Sequence, residues 1–144
     1  KEEWLIEGMK WPDMMISTDA MPALDFPIKA APNGAGSFTR VLAKYVRDDG
    51  VLELMDALKR TSYYPAERLA SFAPAFSRKG RIQVGADADL LVFKLENLND
   101  MARYTDPFRE ASGWEWIIVD GEIVVESGDP TGAKPGRQLF STTE

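Results

Sequence analysis

The sequence predicts a mixed α and β chain: one short apolar strand and a set of amphipathic helices, then a linker, then β-hairpins. Three observations carry this. Apolar residues recur at helical spacing from Phe38 to Val46 and again from Val51 to Leu58. Past Pro74 the pattern changes to short apolar runs punctuated by glycine and aspartate. Asp120-Gly121 lies between two such runs, and that dipeptide suits a two-residue hairpin turn.

Taken in order, Lys1 to Met9 has helical composition and reads as the tail of a helix begun further upstream. Trp11-Pro12-Asp13 breaks it, and Met14-Met15-Ile16 is a short apolar strand that Ser17-Thr18-Asp19 continues to its C-terminal end. Ala20 to Gly36 carries three prolines and two glycines and reads as a loop. Ser37 is the expected N-cap of the next helix, whose face is Phe38, Val41, Leu42, Tyr45 and Val46. Asp48-Asp49-Gly50 ends it, with Gly50 suited to the left-handed C-terminal position. A second helix presents Val51, Leu54, Met55 and Leu58, with Lys59 and Arg60 complementing the dipole at its end. Pro65 opens a third, Ala66 to Phe72. These stripes are core faces.

Ser71 to Lys79 is the linker. Gly80 to Phe93 then reads as two strands, Arg81 to Val84 and Asp89 to Phe93, joined by a tight turn. Gly85 supplies a positive φ there, and Asp87 bonds nearby amides. The continuous apolar run Leu90 to Phe93 implies a strand covered on both faces. Lys94 to Ser112 is irregular and polar, with Tyr104-Thr105-Asp106-Pro107 exposed. Trp114 to Val119 and Glu122 to Glu126 form the closing hairpin, with Trp114, Trp116, Ile118, Ile123 and Val125 on one face. Ser127 to Glu144 is a Gly- and Pro-rich tail. Taken alone, the order describes a small α+β protein. Its first third is awkward, because one apolar strand with no parallel partner leaves its ladder groups unpaired.

Composition excludes several functions. Among 144 residues, 17 basic against 23 acidic side chains leave a net charge of −6 with no basic cluster, so no nucleic acid or membrane partner is expected. No apolar run approaches the ~20 residues of a membrane span. Without cysteine there are no disulfides or thiolate metal sites, and the compartment stays open; the cytoplasm is the reading adopted. There is also no histidine.

The string Gly-Arg-Ile, then Gly-Ala-Asp-Ala-Asp-Leu, then Val-Phe across Gly80 to Phe93 resembles the stretch where a metal-dependent amidohydrolase leaves its barrel for its small β-sandwich. Met15-Ile16-Ser17-Thr18-Asp19-Ala20-Met21-Pro22 is similar to the end of the eighth barrel strand in D-aminoacylases. Gly36 to Arg47, Leu54 to Thr61 and Pro65 to Leu69 resemble the helices that follow, and Pro107 to Glu126 the closing sandwich hairpin. The resemblance covers about Trp11 to Arg137. It implies an α/β fragment: the last strand and helices of a (β/α)8 barrel (residues 1–72), followed by part of a small β-sandwich with the tail (73–144). A whole barrel needs about 250 residues, more than this chain has.

The same resemblance implies that Asp19 is the catalytic carboxylate and a metal ligand, accepting a proton from a metal-activated water and passing it to the leaving amide nitrogen. The ordinary alternative is an aspartate that begins a turn. The implied cofactor is zinc in the full-length parent and none in this chain, because the family's metal site is built largely from histidines on earlier strands. A substrate contact is implied at Asn33. Many D-aminoacylases read His-Pro-Arg where this chain has Ala31-Pro32-Asn33, and asparagine lacks arginine's bidentate grip on a carboxylate. Lys29 is the loop cation that could stand in. Asp87 and Asp89 are read as structural, and the Trp114 and Trp116 pair as core rather than a sugar platform.

The implied function is hydrolysis of amide C–N bonds, as in N-acyl-D-amino acids, by a parent enzyme whose isolated C-terminal part is inactive. The implied partners are a small amide substrate and the rest of the barrel or an N-terminal chain. The alternatives are a non-catalytic module that self-associates through its uncovered strand, and one chain of a split enzyme.

Overall fold

The computed structural model describes residues 2–20 and 31–141. Among the described residues, four α-helices and a short 3-10 segment (Pro74–Arg78) precede a four-stranded antiparallel sheet. Helix α1 spans Glu2–Met9, and α2 spans Asn33–Arg40 and runs on into a π-wound stretch, Val41–Asp48. Helix α3 (Leu54–Leu58), a second π-wound stretch (Lys59–Tyr63) and α4 (Tyr64–Ala70) form one continuous rod. The strands are β1 (Leu90–Phe93), β2 (Trp114–Val119), β3 (Glu122–Glu126) and β4 (Asp129–Pro130), in the order β1-β2-β3-β4. Among the described residues no helix is long and apolar enough to cross a membrane.

The helical stripes bury only in part: Val41, Leu42 and Tyr45 are core, whereas Phe38 (42%) and Met55 (64%), read as core-facing, lie exposed. Val41, Leu42, Ala43 and Tyr45 join Met9, Leu52, Ala57 and Leu98 in one cluster, and Phe93, Leu95 and Trp114 pack against it from the sheet side. Helices and sheet therefore share one core. Arg47 ties the two at their border by donating from Nη1 to the carbonyls of Leu95 (3.1 Å) and Leu98 (2.6 Å). Gly50 takes the left-handed conformation expected of it, at φ 59°.

Several expectations need correction. The helix beginning at Ser37 starts four residues earlier, at Asn33, so Asn33 to Gly36 are not loop. Pro32 stands at the cap position with no side-chain hydrogen bond, its ring presetting φ at −72°. The early start also needs Gly36, where a Cβ would lie 2.1 Å from Oδ1 of Asp100. Pro65 does not open a separate helix. It falls in the first turn of α4, where a missing N–H costs little, and the π-wound stretch before it lets the rod continue.

Met14–Ile16 is not a strand, because no strand lies beside it among the described residues; its ladder is replaced by one bond, Ile16 N–H to the Arg60 carbonyl at 3.0 Å. Arg81–Val84 is not a strand either. A turn closed by Ala86 N–H to Gln83 C=O, together with Asp87 N–H to Arg78 C=O (both 3.0 Å), folds the segment away from β1. Ile82 and Val84 are left fully exposed, although Gly85 has the positive φ expected of the turn (84°). β1 is consequently the sheet edge, and it is not covered on both faces: Leu91 is 53% and Val92 39% exposed.

The Asp120-Gly121 hairpin forms as predicted, with both residues at positive φ (50° and 84°). A bulge between Ile117 and Ile118 alters the register: Ile118 pairs with Ile123 as expected, but Val125 pairs with Ile117 and leaves the face assigned to it. Part of the tail is a strand. Asp129–Pro130 pairs with β3, and proline is tolerated at an outer edge. The irregular Lys94–Ser112 segment folds back through a bridge between Asn99 and Ser112, burying Leu98 completely, while Tyr104 stays exposed.

Candidate active site

The segment carrying Asp19 has no regular secondary structure, and its neighbours fix it at two points. Near its start, Arg60 projects inward from the rod with only 4% of its surface exposed. Its Nε donates to Asp56 Oδ2 at 2.9 Å and its Nη1 to the Trp11 carbonyl at 2.5 Å; its own backbone carbonyl accepts from Ile16. A buried guanidinium must spend its donors in this way, because an unpaired one would be costly.

At the far end, Asn33 in the first turn of α2 donates from Nδ2 to the carbonyls of Thr18 (2.5 Å) and Asp19 (3.2 Å). Asp19 itself adopts φ 48°, a left-handed conformation that aspartate tolerates better than most residues. Its N–H reaches only a long contact to Ser17 Oγ at 3.4 Å. The residue is exposed, and among the described residues its carboxylate takes part in no ion pair or hydrogen bond. A free acid on an anchored backbone is suited to move a proton.

The structure thus joins Asp19 and Asn33, two residues singled out by sequence, in direct contact. Both N–H groups of the Asn33 amide are engaged by backbone carbonyls, so none is left over for a substrate carboxylate. Arg60 was missed as part of this arrangement. A lone arginine late in a helix carries no signal that its guanidinium turns inward to hold a segment 49 residues earlier. Lys29 lies outside the described residues.

The donor set does not suit a metal on its own. Among the described residues no three of His, Cys, Asp and Glu come together, and the chain contains neither histidine nor cysteine. A lone carboxylate does not hold zinc against water.

Asp87 and Asp89 do structural work. Lys79 Nζ lies 2.9 Å from Asp87 and 2.6 Å from Asp89, and Asp89 also accepts the Asp120 N–H at 2.8 Å, fastening the linker to the β2–β3 turn. Burial pushes the Asp89 carboxyl up, but the bonds from Lys79 and from the Asp120 amide outweigh it and hold the group below the usual carboxylate range. Its stabilising contribution is therefore full above about pH 4, its unfolded value, and is lost as pH falls through the lower folded one. Asp89→Asn should flatten the acid limb of a stability-against-pH curve, read by thermal unfolding, while also lowering stability at neutral pH. An unchanged acid limb would show that the contact contributes nothing.

A shallow hollow of about 520 Å³ between Asn97, Gly113, Trp116 and Gly128 is separate from this arrangement; neither Asp19 nor Asn33 lines it. Trp114 is half-buried and meets Phe93 edge-on at 5.2 Å, as a core residue does, whereas Trp116 is 36% exposed.

Known proteins share both sequence and fold with this chain. The amidohydrolase family model matches residues 2–124. An N-acyl-D-glutamate deacylase of Alcaligenes xylosoxydans xylosoxydans is 35% identical over 125 residues, covering 87% of this chain and 24% of that protein. A D-aminoacylase of the same organism is 32% identical, covering 89% and 25%. A solved D-aminoacylase, described with a binuclear metal centre, superposes with a TM-score of 0.86 at 28% identity, over 97% of this chain and 28% of its own. An N-acyl-D-glutamate deacylase from Bordetella bronchiseptica, complexed with zinc and a phosphonate inhibitor, gives 0.80 at 30% identity, over 96% and 27%. The chain spans about a quarter of the length of the curated relatives it matches. With its family model matching from α1 into the closing hairpin, and its fold superposing on two deacylases nearly throughout, the chain belongs to the amidohydrolase family.

Proposed function

We propose that this chain serves as the C-terminal part of a hydrolase that cleaves the amide bond of N-acyl-D-amino acids, with Asp19 as its proton carrier. The Asp19 carboxylate accepts a proton from the attacking water as the oxygen–carbon bond forms. It then donates that proton to the amide nitrogen as the C–N bond breaks. Residues 1–72 contribute the closing strand and helices of a barrel, and 73–144 a share of its β-sandwich. Zinc is the metal proposed for the whole enzyme, held by donors beyond this chain together with the Asp19 carboxylate.

The observation that supports this reading most is Asp19 itself: a left-handed residue whose carboxylate is unpaired among the described residues, at the end of an apolar segment anchored at Arg60 and Asn33. The acyl substrates named for the relatives support the substrate class.

Metal analysis and an assay with N-acetyl-D-glutamate test it, on the isolated chain and on the full-length protein. The isolated chain is expected to hold substoichiometric metal and to turn nothing over, and the full-length protein to release acetate. Stoichiometric metal on the isolated chain, or a full-length protein inert to N-acyl-D-amino acids, would overturn the proposal. A second reading, a non-catalytic module that assembles through its sheet, is favoured by the exposed Leu91, Val92, Trp116 and Ile123. Concentration-dependent dimerisation of an inert full-length protein would support it.

A further inference from the structure

Asn33 has the chemistry of a substrate contact but the geometry of a brace. Its amide lies 2.5 Å from the Thr18 carbonyl and 3.2 Å from that of Asp19, so both of its N–H groups are engaged by the backbone that presents the acid. Its remaining polar atom, Oδ1, is an acceptor and would repel a substrate carboxylate. Asp19 meanwhile sits at φ 48°, a conformation costing a non-glycine residue free energy unless its surroundings impose it. Among the described residues the Asp19 N–H makes only the long Ser17 contact, so the described local chain does little to impose it. Arg60 anchors the segment at Trp11 and Ile16, short of the tip. Among the described residues, the backbone at Asp19 is held from outside its own segment by Asn33.

We propose that Asn33 is a positioning residue for the reaction: by holding the Thr18 and Asp19 carbonyls it keeps Asp19 in its left-handed conformation and aims the carboxylate at the scissile amide. The inference rests on the catalytic reading of Asp19. It also makes the α2 N-terminus part of the catalytic apparatus, through the backbone of Asp19 and not through the substrate.

The test is steady-state kinetics of the full-length enzyme with N-acetyl-D-glutamate, comparing Asn33→Ala, Asn33→Asp and Asn33→Gln with Asp19→Asn. Asn33→Asp keeps the shape but cannot donate. Asn33→Gln keeps the donors on a longer arm. Misplacement of a catalytic group by a fraction of an ångström to an ångström costs on the order of 10–100-fold. The Ala and Asp variants are therefore expected to lose about that much kcat with KM within about twofold and an unchanged melting temperature, and Gln to recover part of the loss. Adding Asn33→Ala to Asp19→Asn should cost nothing further, because the group being aimed is gone.

Wild-type kcat in Asn33→Ala beside an inactive Asp19→Asn would overturn the positioning role and leave the catalytic reading intact. So would a loss confined to KM, the mark of a substrate contact. Full activity in Asp19→Asn would remove the catalytic reading and the inference with it.

Discussion

Asp19→Asn in the full-length protein is expected to lower kcat by about 10²- to 10⁴-fold, the usual contribution of a positioned general acid–base group. The substitution keeps size and shape and removes only the capacity to carry a proton. Asp19 is exposed and joins no ion pair among the described residues, and asparagine tolerates φ 48° at least as well as aspartate. The melting temperature should therefore stay within about 2 °C, since surface changes of this kind alter stability by only a few tenths of a kcal/mol. Hydrolysis of N-acetyl-D-glutamate and a thermal scan on one preparation give both numbers. Turnover within a few fold of wild type would remove Asp19 from the mechanism. A collapse of the melting temperature would mean that the residue is structural.

The largest effect on stability is expected at Gly113, far from the acid in sequence. Its φ of 92° is one that L-residues rarely adopt, and a Cβ there would sit 2.1 Å from the Asn97 carbonyl oxygen and 2.9 Å from the Leu98 Cα. Those atoms are backbone and cannot swing aside. They are pinned by the paired Asn99 and Ser112 hydrogen bonds (3.0 Å each) and by Leu98, which is fully buried in the shared core. Gly113→Ala must prise Leu98 from that core, at a cost of about 3 kcal/mol or more. Gly132→Ala is the control: it shares a positive φ (85°) but meets nothing within 4 Å, so it should cost only the strain, about 1 kcal/mol. Thermal unfolding of both variants separates clash from strain. Equal shifts would refute the close approach.

Both predictions depend on how this chain reveals itself. The left-handed Gly50, the Asp120-Gly121 turn and the Val41, Leu42 and Tyr45 part of the first helical stripe were legible in the sequence. Each is written in neighbouring residues, as a period or a φ preference, whereas the role proposed for Asp19 came from the family resemblance. The family assignment was legible for a related reason, since the Gly80 to Phe93 string is itself local. Its letters nevertheless suggested a hairpin where the structure has a looped-out Arg81–Val84, because Asp87 is drawn to Arg78 and Lys79 and not across a strand ladder.

What the order of residues determined by itself was the sequence of helices before a hairpin-built sheet and the turn at Asp120-Gly121. Tertiary structure alone decided how the backbone at Asp19 is held. Asn33 is 15 residues from Thr18, Arg60 is 49 from Trp11, and Gly113 meets Asn97 across a folded-back loop. Hydrogen bonds and close contacts of that kind depend on distances in space, which no periodicity along the chain encodes.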